Sequence, residues 1–127
     1  MLELATPQTA ASILLVEDDP ALASSLAQFL GDLGYRSHIA GTVNDGWRAV
    51  QDMHPDLCLL DMNLPDGSGL DLLRRMSRHG LQIPIIVSTA LPLQNLFHSA
   101  LYPSVVGWLT KPVDPAQLAK SVQAALG

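Results

Sequence analysis

Five times between residues 12 and 127 the chain alternates a short strand-like segment with a longer one of helical spacing. No other feature restricts its fold as much. The strand-like segments are Ile13-Leu14-Leu15-Val16, Tyr35 to Ala40, Leu57-Cys58-Leu59-Leu60, Pro84-Ile85-Ile86-Val87 and Val105-Val106-Gly107-Trp108-Leu109. Four are nearly continuous apolar runs, as parallel strands covered on both faces require. After the first, Asp19-Pro20 supplies a helix-capping residue and a proline for the first helical position. Leu22, Leu26, Phe29, Leu30 and Leu33 then recur on one face, and Gly34 is the expected stop. Thr42-Val43-Asn44-Asp45 resembles a capping box with Asp in the Glu/Gln place, opening a helix to about Met53 that Pro55 breaks. Asn63 to Gly69 reads as a turn. The helix after it carries Leu70, Leu73 and Met76 on one side and Arg74, Arg75 and Arg78 on a solvated face. Asp114-Pro115 opens the last helix, with Leu118, Val122, Ala125 and Leu126. Residues 1–11 have no period and read as a flexible leader; Pro92 and Pro103 bound a segment of ambiguous structure.

This alternation implies an α/β fold, a doubly wound five-stranded parallel sheet with helices on both faces. The winding is flavodoxin-like, since a barrel needs eight units. One domain, residues 12–127, accounts for the pattern, and 48% hydrophobic residues suffice for its core. A single cysteine, Cys58, excludes an internal disulfide framework and sits inert within a strand; the four histidines share no metal-ligand spacing. Asp and Glu outnumber Lys and Arg by 12 to 7, which argues against direct binding of nucleic acid. No apolar run reaches the roughly 18 residues of a membrane span. Met1-Leu2-Glu3-Leu4-Ala5 is not a signal sequence, so a cytoplasmic protein is expected. Charge is uneven: beyond Leu81 only Lys111, Asp114 and Lys120 are charged.

In such sheets the functional crevice lies at the carboxyl ends of the strands. Four separate parts of the sequence meet there: Glu17-Asp18-Asp19, Asp61, Ser88-Thr89 and Thr110-Lys111-Pro112. A single acid at a strand end is commonly a helix cap, but several acids with a hydroxyl and a lysine are not explained by capping. Glu17, Asp18 and Asp61 would repel one another, and a hard divalent cation with oxygen ligands relieves that repulsion. Mg²⁺ suits a site with few carboxylates and several waters. Asp61 can then act as a carboxylate nucleophile toward phosphorus, with Lys111 and Thr89 contacting the phosphoryl oxygens.

The segments Val16-Glu17-Asp18-Asp19-Pro20, Leu60-Asp61-Met62-Asn63-Leu64-Pro65-Asp66-Gly67, Val87-Ser88-Thr89-Ala90 and Leu109-Thr110-Lys111-Pro112 occur in that order. Spacings of 43, 28 and 22 residues separate Asp18, Asp61, Thr89 and Lys111. With them the chain resembles a response-regulator receiver domain of two-component signalling. The resemblance implies that Asp61 is the phosphoacceptor and that Glu17 and Asp18 hold Mg²⁺ with Asp61 and the backbone carbonyl of Asn63. It also implies that Thr89 is the switch hydroxyl, Lys111 its paired lysine, Trp108 the switch aromatic, and Lys111-Pro112 a cis bond. Asp19 is then the helix cap. The implied partner is a sensor histidine kinase or a histidine phosphotransfer protein, and the implied function a phosphorylation-dependent switch that catalyses only its own phosphorylation and dephosphorylation.

Two features depart from the family's usual pattern. Residues 91–104 are more apolar than the polar fourth helix usual in that family, which suggests that residues 92–127 contact a second copy or an output partner. Leu91 stands two residues beyond Thr89, where it cannot orient a hydrolytic water, so a slowly hydrolysing acyl phosphate is expected. A receiver-like module that is never phosphorylated, or a small aspartyl-nucleophile phosphatase, are the alternatives; the latter normally carries an acid where this chain has Asn63.

Overall fold

The computed structural model describes residues 10–90 and 102–127. Strand β1 (Ser12–Val16) leads through helix α1 (Pro20–Asp32) to β2 (Arg36–Ala40), and α2 (Val43–Met53) leads to β3 (Leu57–Asp61). A small hairpin, β4 (Asn63–Leu64) and β5 (Gly67–Ser68), precedes α3 (Gly69–Arg78). Strand β6 (Ile85–Thr89), strand β7 (Val105–Thr110) and helix α4 (Pro115–Leu126) follow. The five long strands form one parallel sheet in the order β2-β1-β3-β6-β7, the doubly wound, flavodoxin-like order expected from the sequence.

Alternation along the strands sorts the core into two layers. Leu14, Val16, Cys58, Leu60, Ile85 and Val87 face α2 and α3. Ile13, Leu15, Leu57, Leu59, Ile86 and Leu109 face α1 and α4. The helix ends follow their local chemistry. Asp19 caps α1 through Ala21 and Leu22 N–H, and Pro20 occupies its first turn. Gly34, at φ +96°, lets the chain reverse so that Gly34 and Tyr35 N–H close on the Gly31 and Leu30 carbonyls. Tyr35 therefore belongs to the turn that closes off α1, and β2 starts one residue later than the sequence suggested. Pro84 likewise stays outside β6, although its carbonyl accepts the Cys58 N–H.

Three further expectations change. The Asn63–Gly69 segment is a two-stranded hairpin rather than a plain turn. Arg75 is not simply solvated: its guanidinium carbon stands 5.5 Å from the centroid of Trp47, which also meets the His79 ring at 4.7 Å. The β6–β7 pairing slips between Ile85 and Ile86, skipping Val106 of β7, which is 54% exposed. Of the expected leader, Ala10 and Ala11 accept hydrogen bonds from Arg36. Residues 1–9, and residues 91–101 of the segment with ambiguous structure, lie outside the described residues. Among the described residues no helix is long and apolar enough to cross a membrane.

Candidate functional site

Parallel pairing in register brings the strand ends together. Val16 pairs with Leu60, Asp61 with Ser88, and Thr89 with Thr110. The residues at and just beyond these pairs therefore surround a cleft of about 390 Å³, lined by Glu17, Asp18, Asp61, Asn63, Thr89 and Lys111 among others. Six of the seven residues singled out from the sequence thus meet at one place. The seventh, Trp108, does not line the cleft; it pairs with Val87 and packs, half-buried, on the core layer beneath α2 and α3.

Two buried carboxylates share one cation. Lys111 Nζ lies 2.9 Å from Glu17 Oε1 and 3.1 Å from Asp61 Oδ2. Lys111 directly follows β7 and precedes Pro112 across a cis peptide bond, and its own N–H bonds to the Thr89 carbonyl at 2.8 Å. Burial pushes the Glu17 carboxyl above its ordinary value, against the opposing bonds from Lys111 and the Asp19 N–H. Burial alone would draw Lys111 down, but its bonds to Glu17 and Asp61 and their charges prevail and hold the ammonium above its ordinary value. Asp61 Oδ1 accepts the Asn63 N–H at 3.1 Å, so both oxygens of this carboxylate are oriented.

Carboxylate oxygens of Glu17, Asp18 and Asp61 come within 4.8 Å of one another. The donor set is all oxygen, two members are buried and Asp18 is exposed at the mouth, where water can complete a coordination shell. These residues fit a hard divalent cation that keeps several waters. Thr89 is buried at the end of β6 beside the cleft. Cys58 lies fully buried in β3, where desolvation pushes its thiol up to about 12.

Sequence reasoning missed three supports of this site. A Cβ on Gly69 would collide with the Asp61 carbonyl oxygen and lie 3.0 Å from Leu60 Cγ, so only glycine lets α3 start against the end of β3. Ser68 and Asp71 form a reciprocal capping box on α3, a pattern that Ser-x-x-Asp already displays in the sequence. The other support, Asp66, bonds to residues 22 and 23 positions earlier and has no local signal.

Known proteins resemble this chain over most of its length. A family model described as the response regulator receiver domain matches residues 13–123. The DNA-binding transcriptional regulator NtrC of Bradyrhizobium sp. is 37% identical over 92% of this chain, and the response regulator protein PilR of Pseudomonas aeruginosa 35% identical over 89%. The chain spans only 24% and 25% of the length of these two relatives. The crystal structure of a CheY-like response regulator receiver domain protein from Methanospirillum hungatei superposes with a TM-score of 0.84 at 30% identity, covering 92% of this chain and 94% of that one. The chain belongs to the response regulator receiver domain family, the receiver module of two-component systems.

Proposed function

We propose that this receiver domain takes a phosphoryl group onto Asp61 from a phosphohistidine of a sensor histidine kinase or histidine phosphotransfer protein, with Mg²⁺ as cofactor, and so switches an output surface. The observation that carries the reading is the shared cation. Lys111 bridges Glu17 and Asp61, so a carboxylate nucleophile, a fixed positive charge and a set of oxygen ligands occupy one cleft. Glu17, Asp18, Asp61 and the backbone carbonyl of Asn63 would hold the metal. When bound, it supplies charge neutralisation for the transferring phosphoryl group.

The chain's own residues do the rest. An oxygen of Asp61 forms the new bond to phosphorus as the phosphorus–nitrogen bond to histidine breaks, and the imidazole leaves with the electron pair. Lys111, held at its carboxylate partners, is within reach of the incoming phosphoryl oxygens, and the Thr89 hydroxyl moves to the same group. Little covalent chemistry is asked of the protein beyond positioning and electrostatics. Displacement of Thr89 changes the support of β7, where Trp108 and the exposed Val106 lie. The phosphoryl group can shift the two states only by its differential interaction with them.

Several partners remain part of the proposal. Residues 92–127 are the surface for a second copy or an output partner, although residues 92–101 lie outside the described residues. By likeness to the relative named a DNA-binding transcriptional regulator, the output is transcriptional, exerted by another part of a longer protein in the cytoplasm. Leu91 implies a slowly hydrolysing acyl phosphate; rapid loss of label that Asn63→Ala does not slow would contradict this.

Incubation with a small phosphodonor and Mg²⁺, compared between wild type and Asp61→Ala on a phosphate-affinity gel, tests the reading. A lasting adduct that depends on Asp61 supports the switch. Rapid turnover would indicate a phosphatase, and the lack of an adduct a module that works unphosphorylated.

A further inference from the structure

Asp66 occupies the tip of the β4–β5 hairpin, five residues after Asp61, and its hydrogen bonds run to another element. Its Oδ1 accepts the Val43 N–H at 2.7 Å and its Oδ2 the Asn44 N–H at 3.1 Å. Val43 and Asn44 are the first two residues of α2. That helix already has its own cap, because Thr42 Oγ1 accepts the Asp45 N–H at 2.9 Å. The bond from Asp66 thus does something a local cap does not: it joins the acceptor hairpin to a helix that precedes β3.

The hairpin needs such an anchor. Only Asn63 pairs with Ser68 and Leu64 with Gly67, and a two-residue ladder does not hold its own position in water. At its base, Asn63 donates its N–H to Asp61 Oδ1, and Gly69 donates to the Met62 carbonyl at 3.0 Å. On the α3 side, Asp71 accepts the Ser68 N–H at 2.9 Å. At the tip, Asp66 holds the α2 amides, and the Arg75 guanidinium of α3 contributes a favourable charge to the same carboxylate. A backbone carbonyl, unlike a side chain, cannot be re-aimed by changing rotamer; its direction is set by the anchors on either side.

The geometry points to Asp66 as a positioning residue of the phosphoacceptor site: by tying the hairpin tip to the start of α2, it fixes the Asn63 backbone that orients Asp61 and faces the cation cleft. The role rests on the reading of the cleft given above for its metal contact, but not for the Asn63–Asp61 bond, which is a contact within the chain itself.

Three variants of the full chain test it. Asp66→Ala removes both acceptors, Asp66→Asn retains one neutral acceptor, and Thr42→Ala weakens α2 while leaving the hairpin anchor intact. Amide exchange at Asn63, followed by NMR without metal, is expected to speed up in Asp66→Ala, partly in Asp66→Asn and not in Thr42→Ala. Calorimetry with magnesium chloride is expected to show affinity weakened on the order of 10-fold in Asp66→Ala and unchanged in Thr42→Ala. Wild-type exchange at Asn63 in Asp66→Ala would overturn the assignment. So would Thr42→Ala matching Asp66→Ala in both readouts, since Asp66 would then be an ordinary helix cap. A wild-type protein that binds no magnesium would refute the metal reading, while the exchange comparison would still decide the role of Asp66.

Discussion

Replacing Lys111 by methionine is expected to destabilise the metal-free protein strongly. The ammonium lies 2.9 Å and 3.1 Å from two carboxylates whose side chains are only 5% and 4% exposed, while Lys111 itself is 23% exposed. Removing one partner of a buried ion pair costs about 3–5 kcal/mol, and the open mouth of this cleft places Lys111→Met at the lower end, about 3 kcal/mol. With a denaturation slope of about 1.5 kcal/mol per molar urea, the midpoint should fall by about 2 M. The difference must also depend on pH. The Glu17 carboxyl is raised in the folded state, so the stability tied to this group is present below its ordinary carboxylate value and lost as pH rises through its raised one. Without Lys111 that loss deepens. The gap between wild type and variant should therefore open above the carboxylate range. The Lys111 ammonium is raised above 10.5, so its contribution is full below that value and is lost only as pH climbs through the raised one. Added magnesium should narrow the gap, because Glu17 and Asp61 without the Lys111 charge attract the cation more strongly than in wild type, and a cation at ten times its dissociation constant stabilises by about 1.4 kcal/mol. Urea titrations of both proteins in chelator and in magnesium, at about pH 4.5 and about pH 7, measure all of this. A gap under about 0.5 kcal/mol at pH 7, or an equal gap at both pH values, would refute the reasoning.

Three other outcomes are expected. Gly69→Ala should lower stability by about 1–3 kcal/mol through overpacking against the Asp61 carbonyl, and weaken magnesium binding as well; a neutral effect in urea unfolding and calorimetry would show that α3 can shift freely. Cys58 should resist a thiol reagent in the native protein and react on unfolding. Because its thiol is raised to about 12, the stability tied to it is complete below the usual thiol value of about 8.5 and is lost between there and 12, a loss absent from Cys58→Ala. Thr89→Ala should still accept a phosphoryl group but lose the change in Trp108 fluorescence that follows in wild type, measured in a Trp47→Phe background; an unaltered change would remove Thr89 from the switch.

The sheet was legible because its determinants are local. Leu57 to Leu60 can be buried on both faces only as a strand of a covered sheet, and Asp19-Pro20, Thr42 and Gly34 mark helix ends within a few residues of where they act. The cleft was legible because parallel register converts four distant strand ends into neighbours, so that naming the residues after each strand names the site. What escaped depends on contacts between elements. The β4–β5 ladder is too short to show a period, Asp66 reaches back to α2, and Gly69 is required by a carbonyl eight residues earlier. The Arg75–Trp47 contact joins α3 to α2, and a helical wheel placed Arg75 in solvent because it ignores the neighbouring helix.

Residue-resolved trapping of the acyl phosphate tests the central claim most directly. Protein incubated with a small phosphodonor and magnesium is reduced with borohydride, which converts an aspartyl phosphate to homoserine, and the peptide is sequenced by mass spectrometry. The account predicts homoserine at position 61 alone, lost when magnesium is chelated. Homoserine at another aspartate, or none at position 61 under conditions where the donor phosphorylates a known receiver, would contradict it.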